Sequence, residues 1–128
     1  MFSIDNRGNM TITRGDSASI LLFINDGTFN NAHQYDLQAD DYVIFYIMDI
    51  LEKDINKSFV IKKFDLSDIC NVVDSDGETL GTYIYIPIDS NDTKELYYKE
   101  YAYTIKLFTN NGECVDTIGP RRYFYVND

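Results

Sequence analysis

Tryptophan is absent, histidine occurs once, and the 128 residues include only two cysteines, two prolines and seven glycines. A single histidine excludes most imidazole-based metal sites, and two cysteines exclude a multi-disulfide scaffold. Cations are scarce: 11 Lys and Arg stand against 21 Asp and Glu, for a net charge of −10. A nucleic-acid binder needs a cationic footprint and a peripheral membrane protein needs a polybasic patch, and this balance argues against both. Long apolar runs are missing, since the longest, Tyr42 to Met48, is too short to span a bilayer. The opening Met1-Phe2-Ser3-Ile4-Asp5-Asn6 has no basic stretch leading into an apolar one, so no secretory signal is expected. Linkers, low-complexity tracts and repeats are absent, as are phosphate-loop, dinucleotide and serine-hydrolase signatures.

What is present is a strand-forming vocabulary. Eleven tyrosines and eight phenylalanines join many Ile and Val residues, the types that fit a pleated, half-buried surface. Asp and Asn fall between the apolar runs, where they favour turns. The length fits one globular domain with a core of its own. Met10 to Thr13 reads as a strand and Arg14-Gly15-Asp16 as a turn. Ser17 to Asn25 alternates, with Ala18, Ile20, Leu22 and Ile24 on one face and Ser19, Leu21 and Phe23 on the other. Tyr42 to Asp49 is apolar on both faces, so it is expected to be central and covered on both sides.

Ser58 to Asp65 is a further strand, and Leu66 to Asn71 reads as a helical turn capped by Asp65 or Ser67. Gly81 to Ile88 alternates up to Pro87, which belongs at an edge or a strand end. Asp89 to Leu96 is polar and suits a short helical turn. Lys99 to Thr109 places Tyr101, Tyr103, Ile105 and Leu107 on one face. Asn110-Asn111-Gly112 is a hairpin signal, followed by strands at Glu113 to Ile118 and Arg121 to Val126. The expected fold is all-β, an immunoglobulin-like β-sandwich of about seven to eight strands with at most one or two short helical turns. Residues 1–9 read as an extended N-terminal arm and residues 10–128 as a single sandwich domain. Tyr101 or Tyr103 stands where such a sandwich places its tyrosine corner, the alternative being a plain core tyrosine.

Catalytic signals are weak. His33 lies in a polar connection, and Cys70 and Cys114 fall in turn-rich segments without a nucleophile motif. The two cysteines read as reduced thiols, with a disulfide as the alternative. Asp40-Asp41 reads as a solvated turn rather than an acid–base pair. Asp74-Ser75-Asp76-Gly77-Glu78 resembles part of a calcium loop, but its glycine comes too early and the bidentate Glu is missing, which favours a hairpin-like turn. Arg14-Gly15-Asp16 spells an adhesion tripeptide, and a tight turn accounts for it. No catalytic residue, metal ligand or cofactor is therefore expected.

The aromatic excess is the more useful signal. Tyr83 and Tyr85 share one strand face, as do Tyr123 and Tyr125, and tyrosine suits protein interfaces because it combines area, low rotamer entropy and a polar tip. The expected partner-binding residues are Phe2, Ile4, Tyr83, Tyr85, Arg121, Arg122, Tyr123 and Tyr125. The arm is expected to order by adding to a neighbour's sheet, and the paired arginines by meeting an acidic partner.

The opening Phe2-Ser3-Ile4-Asp5-Asn6-Arg7-Gly8, the following Met10-Thr11-Ile12-Thr13-Arg14-Gly15-Asp16-Ser17-Ala18, and the run from Ile88 to Ile105 that holds Asp92-Thr93-Lys94-Glu95-Leu96 before the tyrosine strand resemble a class of small phage virion proteins. The class includes the N-terminal domain of baseplate upper proteins and immunoglobulin-like head or tail accessory proteins of phages infecting Firmicutes. The resemblance implies a non-enzymatic virion protein with no catalytic residues. Because the sequence stops at Asp128 where baseplate proteins continue, a capsid decoration or head accessory subunit is expected. The implied partners are the major capsid protein or another virion protein, with possible self-association, and no nucleic acid or membrane. The implied location is the virion, assembled in the host cytoplasm. A tail or baseplate component and a host-glycan-binding module are the alternatives.

Overall fold

The computed structural model describes residues 1–26, 33–34, 37–97, 99–109 and 114–127. The strands are β1 (Phe2–Ile4), β2 (Met10–Thr13), β3 (Ala18–Leu22), β4 (Asn25–Asp26), β5 (His33–Gln34), β6 (Tyr42–Asp49), β7 (Val60–Asp65), β8 (Ile69–Val73), β9 (Thr79–Ile88), β10 (Glu100–Phe108) and β11 (Cys114–Asn127). One short helix, α1, spans Ser90–Thr93, and single 3-10 turns cover Ile55–Lys57 and Leu66–Asp68. Six strands form one sheet in the order β1-β2-β11-β10-β6-β7, and three form the other in the order β3-β9-β8. The short β4 and β5 pair separately.

Alternation explains which face of each strand is buried. Val43, Phe45 and Ile47 of β6, Tyr101, Tyr103, Ile105 and Leu107 of β10, and Ile84, Ile86 and Ile88 of β9 meet in one core between the sheets. Ile20 and Ile24 are buried while Leu21 and Phe23 are exposed, as the alternation of that segment requires. The strand β6 lies between β10 and β7 and is apolar on both sides. Its second face carries Tyr46 and Met48, which bury with Ala102 under Ile55 of the 3-10 turn.

The strand order is that of an immunoglobulin-type sandwich. There, β11, β10 and β6 occupy the places of G, F and C, and β3, β9 and β8 those of B, E and D. The corner tyrosine is Tyr101: its Oη accepts from the Tyr97 backbone N–H at 2.8 Å and donates to the Tyr97 carbonyl at 3.2 Å. Antibody domains place a cysteine two residues later, and this chain has Tyr103 there. Tyr103 packs against Phe45 at 5.8 Å and edge-on against Phe124 at 6.5 Å. An aromatic cluster therefore occupies the centre of the core where a disulfide and tryptophan would stand.

Four expectations change. The opening segment is extended but not free: β1 pairs antiparallel with β2 through Phe2↔Ile12 and Ile4↔Met10. The reason is the turn between them, where the Asp5 carboxylate accepts from the N–H groups of Arg7 and Asn9 at 2.9 Å each, and Gly8 takes a positive φ of 85°. The helical reading of Leu66 to Asn71 holds for one turn only. Asp65 caps it, and the Asp65 N–H donates back to the Asp68 carboxylate to close the cap, so from Ile69 the chain is free to pair with β9 as β8. The two expected C-terminal strands are one: β11 runs through Gly119-Pro120 and absorbs the interruption as register shifts against β10. The strand count rises to eleven among the described residues because β1, β8 and the β4–β5 pair join the expected set. Pro87 obeys its rule, since β8 ends its pairing at Ile84 and leaves β9 an open side beyond it. The expected Asn110-Asn111-Gly112 hairpin lies outside the described residues.

Candidate partner-binding surfaces

The sandwich separates the eight expected partner residues. Tyr83 and Tyr85 alternate with the buried Ile84 and Ile86 of β9, so they point off the outer face of the three-stranded sheet. Leu21 lies opposite Tyr85 and Cys70 opposite Tyr83. Leu21 and Phe23 are about half exposed, at 54% and 51%. Phe23 and Tyr83 meet with ring centroids 5.9 Å apart, and the hydroxyls of Ser19 and Tyr85 are hydrogen-bonded. Among the described residues, Leu21, Phe23, Cys70, Tyr83, Tyr85 and Pro87 form a face of these strands without a charged side chain. Cys70 is a free, half-buried thiol. The side chains of Cys114 and His33 lie outside the described residues.

Tyr123, Tyr125 and Arg121 belong to the opposite surface. Phe124 and Val126 are buried in the core, so their neighbours on β11 point outward from the six-stranded sheet. Tyr123 and Tyr125 stack at 5.5 Å with 22° between ring planes. Loss of solvation, then the charge of Glu100, pushes the Tyr125 phenol above its ordinary value. Phe2 packs on the core edge, while Ile4 remains 49% exposed on β1.

Beside Tyr123 lies a cleft of about 650 Å³ lined by Asn6, Arg7, Asn9, Ile50, Ala102, Arg121, Arg122 and Tyr123. The two arginines are built in rather than dangling. Arg121 donates to the carbonyls of Asp49 at 3.0 Å and Ile50 at 2.8 Å, and it contacts the Met48 sulfur at 2.9 Å. Arg122 donates from Nε to the Arg7 carbonyl at 2.8 Å and from Nη1 to the Arg121 carbonyl at 3.1 Å. The turn is fixed on β11 by the Tyr123 N–H, which donates to Asn9 Oδ1 at 3.1 Å, and on β10 by the Tyr103 hydroxyl, which donates to the Gly8 carbonyl. Burial pushes the Tyr103 phenol up, in keeping with a hydroxyl that stays protonated as a donor.

Two carboxylates stand near the cleft, and both are committed elsewhere. Asp5 is held below the usual carboxylate range, first by the Asn9 N–H. Asp49 is held below that range by its 2.6 Å bond from the Lys99 ammonium and then by the Leu51 N–H. The same pair raises Lys99 above its ordinary value. Sequence reading missed Asn6, Arg7, Asn9, Ile50 and Ala102 because it treated residues 1–9 as an arm. The signal was there in Asp5-Asn6-Arg7-Gly8-Asn9, a turn-forming run that implies a hairpin.

The remaining motifs resolve as turns. Gly15 of Arg14-Gly15-Asp16 has φ 86°, its N–H donates to Thr93 Oγ1 at 3.0 Å, and Arg14 Nε donates to the Lys94 carbonyl at 2.6 Å. The tripeptide is thus docked on α1. Asp74 Oδ1 accepts from the N–H groups of Asp76 and Glu78 at 2.9 Å each, which makes the acidic stretch a hairpin turn. The Asp41 carboxylate is buried and accepts from the Gln38 N–H at 3.0 Å, which makes Asp41 a turn anchor in place of the expected solvated side chain. Among the described residues no group of three His, Cys, Asp or Glu side chains is placed to hold a metal ion. Among them, too, no helix is long and apolar enough to cross a membrane. No protein-family model matches the chain, and no curated protein matches it either.

Proposed function

We propose that this protein is a non-enzymatic structural subunit of a phage particle, a capsid decoration or head accessory protein that docks on another virion protein. The observation that carries the reading is the outer face of the three-stranded sheet. In a chain of net charge −10, it presents Leu21, Phe23, Tyr83 and Tyr85 without one charged group among them. Apolar, aromatic and charge-free surface of this kind is what an interface core uses. The sequence resemblance supplies the particle, and the acidic remainder would keep a decorated surface soluble and away from packaged DNA.

Quantitative mass spectrometry of purified particles tests the proposal. Copies near stoichiometric with the major capsid protein support head decoration. A few to tens of copies would move the protein to the tail, baseplate or a vertex. Absence from particles would overturn the virion reading. A host-glycan-binding module is the second reading, favoured by the stacked Tyr123 and Tyr125 beside the amide of Asn6, since aromatic platforms flanked by amides suit sugar rings.

A further inference from the structure

Three of the four arginines in the chain, Arg7, Arg121 and Arg122, line the cleft beside Tyr123. Chance does not favour this placement in a protein with 21 acidic residues. Among the described residues, no carboxylate lines the cleft and none is ion-paired with these three guanidiniums. Arg121 and Arg122 are oriented by backbone carbonyls, which fixes their forks without neutralising them. The Arg7 guanidinium donates to no described residue. Asp5 and Asp49 share the local field but have their oxygens occupied by Asn9, Arg7, Leu51 and Lys99.

We propose that this cleft is a recognition site for carboxylates carried on an acidic segment of a partner polypeptide. Planar guanidinium forks match carboxylates bidentately. Ile50, Ala102 and Tyr123 give the cleft an apolar floor and wall, which fits a carboxylate flanked by an apolar side chain. The Asn6 amide offers both a donor and an acceptor, as a peptide bond requires. A phosphate polymer is disfavoured by the −10 field of the whole chain, whereas a short acidic segment brings few charges against it. The site does not depend on the particle role, because it rests on charge and geometry alone.

The test uses the intact protein, isotopically labelled, titrated with an acetylated, amidated peptide of alternating Glu and Leu. A Gln-for-Glu version, sodium glucuronate and inorganic phosphate serve as separate arms. The expected result is saturable shifts confined to the backbone amides of residues 6–9, 50 and 121–123 for the acidic peptide. The Gln peptide should bind at least about tenfold more weakly, and added salt should weaken the acidic peptide further. Arg7→Gln should weaken peptide binding about tenfold, while Arg7→Lys recovers part of it; the bonds that Arg7 makes to Asp5 and Arg122 are through its backbone, so either replacement keeps them. Equal binding of both peptides, shifts mapping elsewhere, no effect of Arg7→Gln, or no binding at millimolar peptide would each overturn the site. Glucuronate binding as tightly as the peptide would replace the polypeptide partner with an acidic sugar. Phosphate binding as tightly would reduce the cleft to an unselective anion site.

Discussion

The two outer faces of the sandwich are both aromatic, yet they are built in opposite ways. On the three-stranded sheet, Leu21, Phe23 and Tyr85 are each about half exposed among the described residues. On the six-stranded sheet the comparable positions are covered: Tyr46 and Met48 are buried in a cluster against which Ile55 packs, and the Arg121 guanidinium contacts the Met48 sulfur. Beyond that cover the face becomes a polar cleft. One surface offers uniform apolar area, and the other offers directed hydrogen-bond donors. The difference shows that aromatic content alone does not mark a docking site, because what the neighbouring loop covers decides which rings are available.

The largest effect expected is on stability. Met48→Ala removes a fully buried side chain and should cost about 2–5 kcal/mol in urea unfolding, whereas Leu21→Ala should stay within about 0.5 kcal/mol. Equal costs would erase the contrast between a covered and an open face. Next, Tyr85→Glu places a charge on the open face without touching the core. If that face docks, loss of a tyrosine anchor costs roughly 2 kcal/mol, about a thirtyfold drop in incorporation measured in competition with the unsubstituted protein. Unchanged incorporation would transfer docking to the opposite surface. Smaller again, Tyr101→Phe removes the corner hydroxyl that serves Tyr97 and should cost about 1 kcal/mol by thermal or urea unfolding.

The smallest effects concern pH, and they separate the faces as well. The carboxyls of Asp5, Asp49 and Asp65 are lowered from an ordinary value of 3.8. A lowered folded value means that their stabilisation is complete above about pH 4 and is lost as pH falls through the still lower folded values. Lys99 is raised from 10.5, so its share of the Asp49 pair is complete below that value and is lost as pH rises through the folded one. Amide exchange at Asn9 and Leu51, beside the cleft, should therefore quicken below about pH 4 before that of β9 does. Uniform acceleration over both sheets would contradict this order.

Sequence periodicity located β2, β3, β6, β7, β9 and β10, because each alternates over a half-buried surface. The Asp65 cap and the short helical turn after Asp89 were also legible, since both rest on local side-chain bonds. Strand β8 was not, because Ile69-Cys70-Asn71-Val72-Val73 is paired only through its partner β9, a long-range fact that local propensity does not hold. The single strand β11 was hidden for a similar reason, as Gly119-Pro120 is a turn signal that pairing with β10 overrides. The tyrosines were visible as interface candidates, but their division between two faces required the sheet order. The cleft was illegible because it joins Arg7 to Arg121 and Arg122, and only the fold of the opening hairpin against β11 brings them together.

The parallel pairing of β2 with β11 through Met10↔Phe124 has a consequence for how the chain is made. Asn9 and Tyr123, joined by a hydrogen bond, are 114 residues apart. While a ribosome extends the chain, β2 and β10 both lack their shared neighbour until the final strand has emerged. The larger sheet therefore closes only once β11 is available, and the long sequence separation of β2 and β11 makes that closure slow. Until then the nascent chain exposes the edges of β2 and β10, the interval in which a chaperone has its opportunity and aggregation its risk.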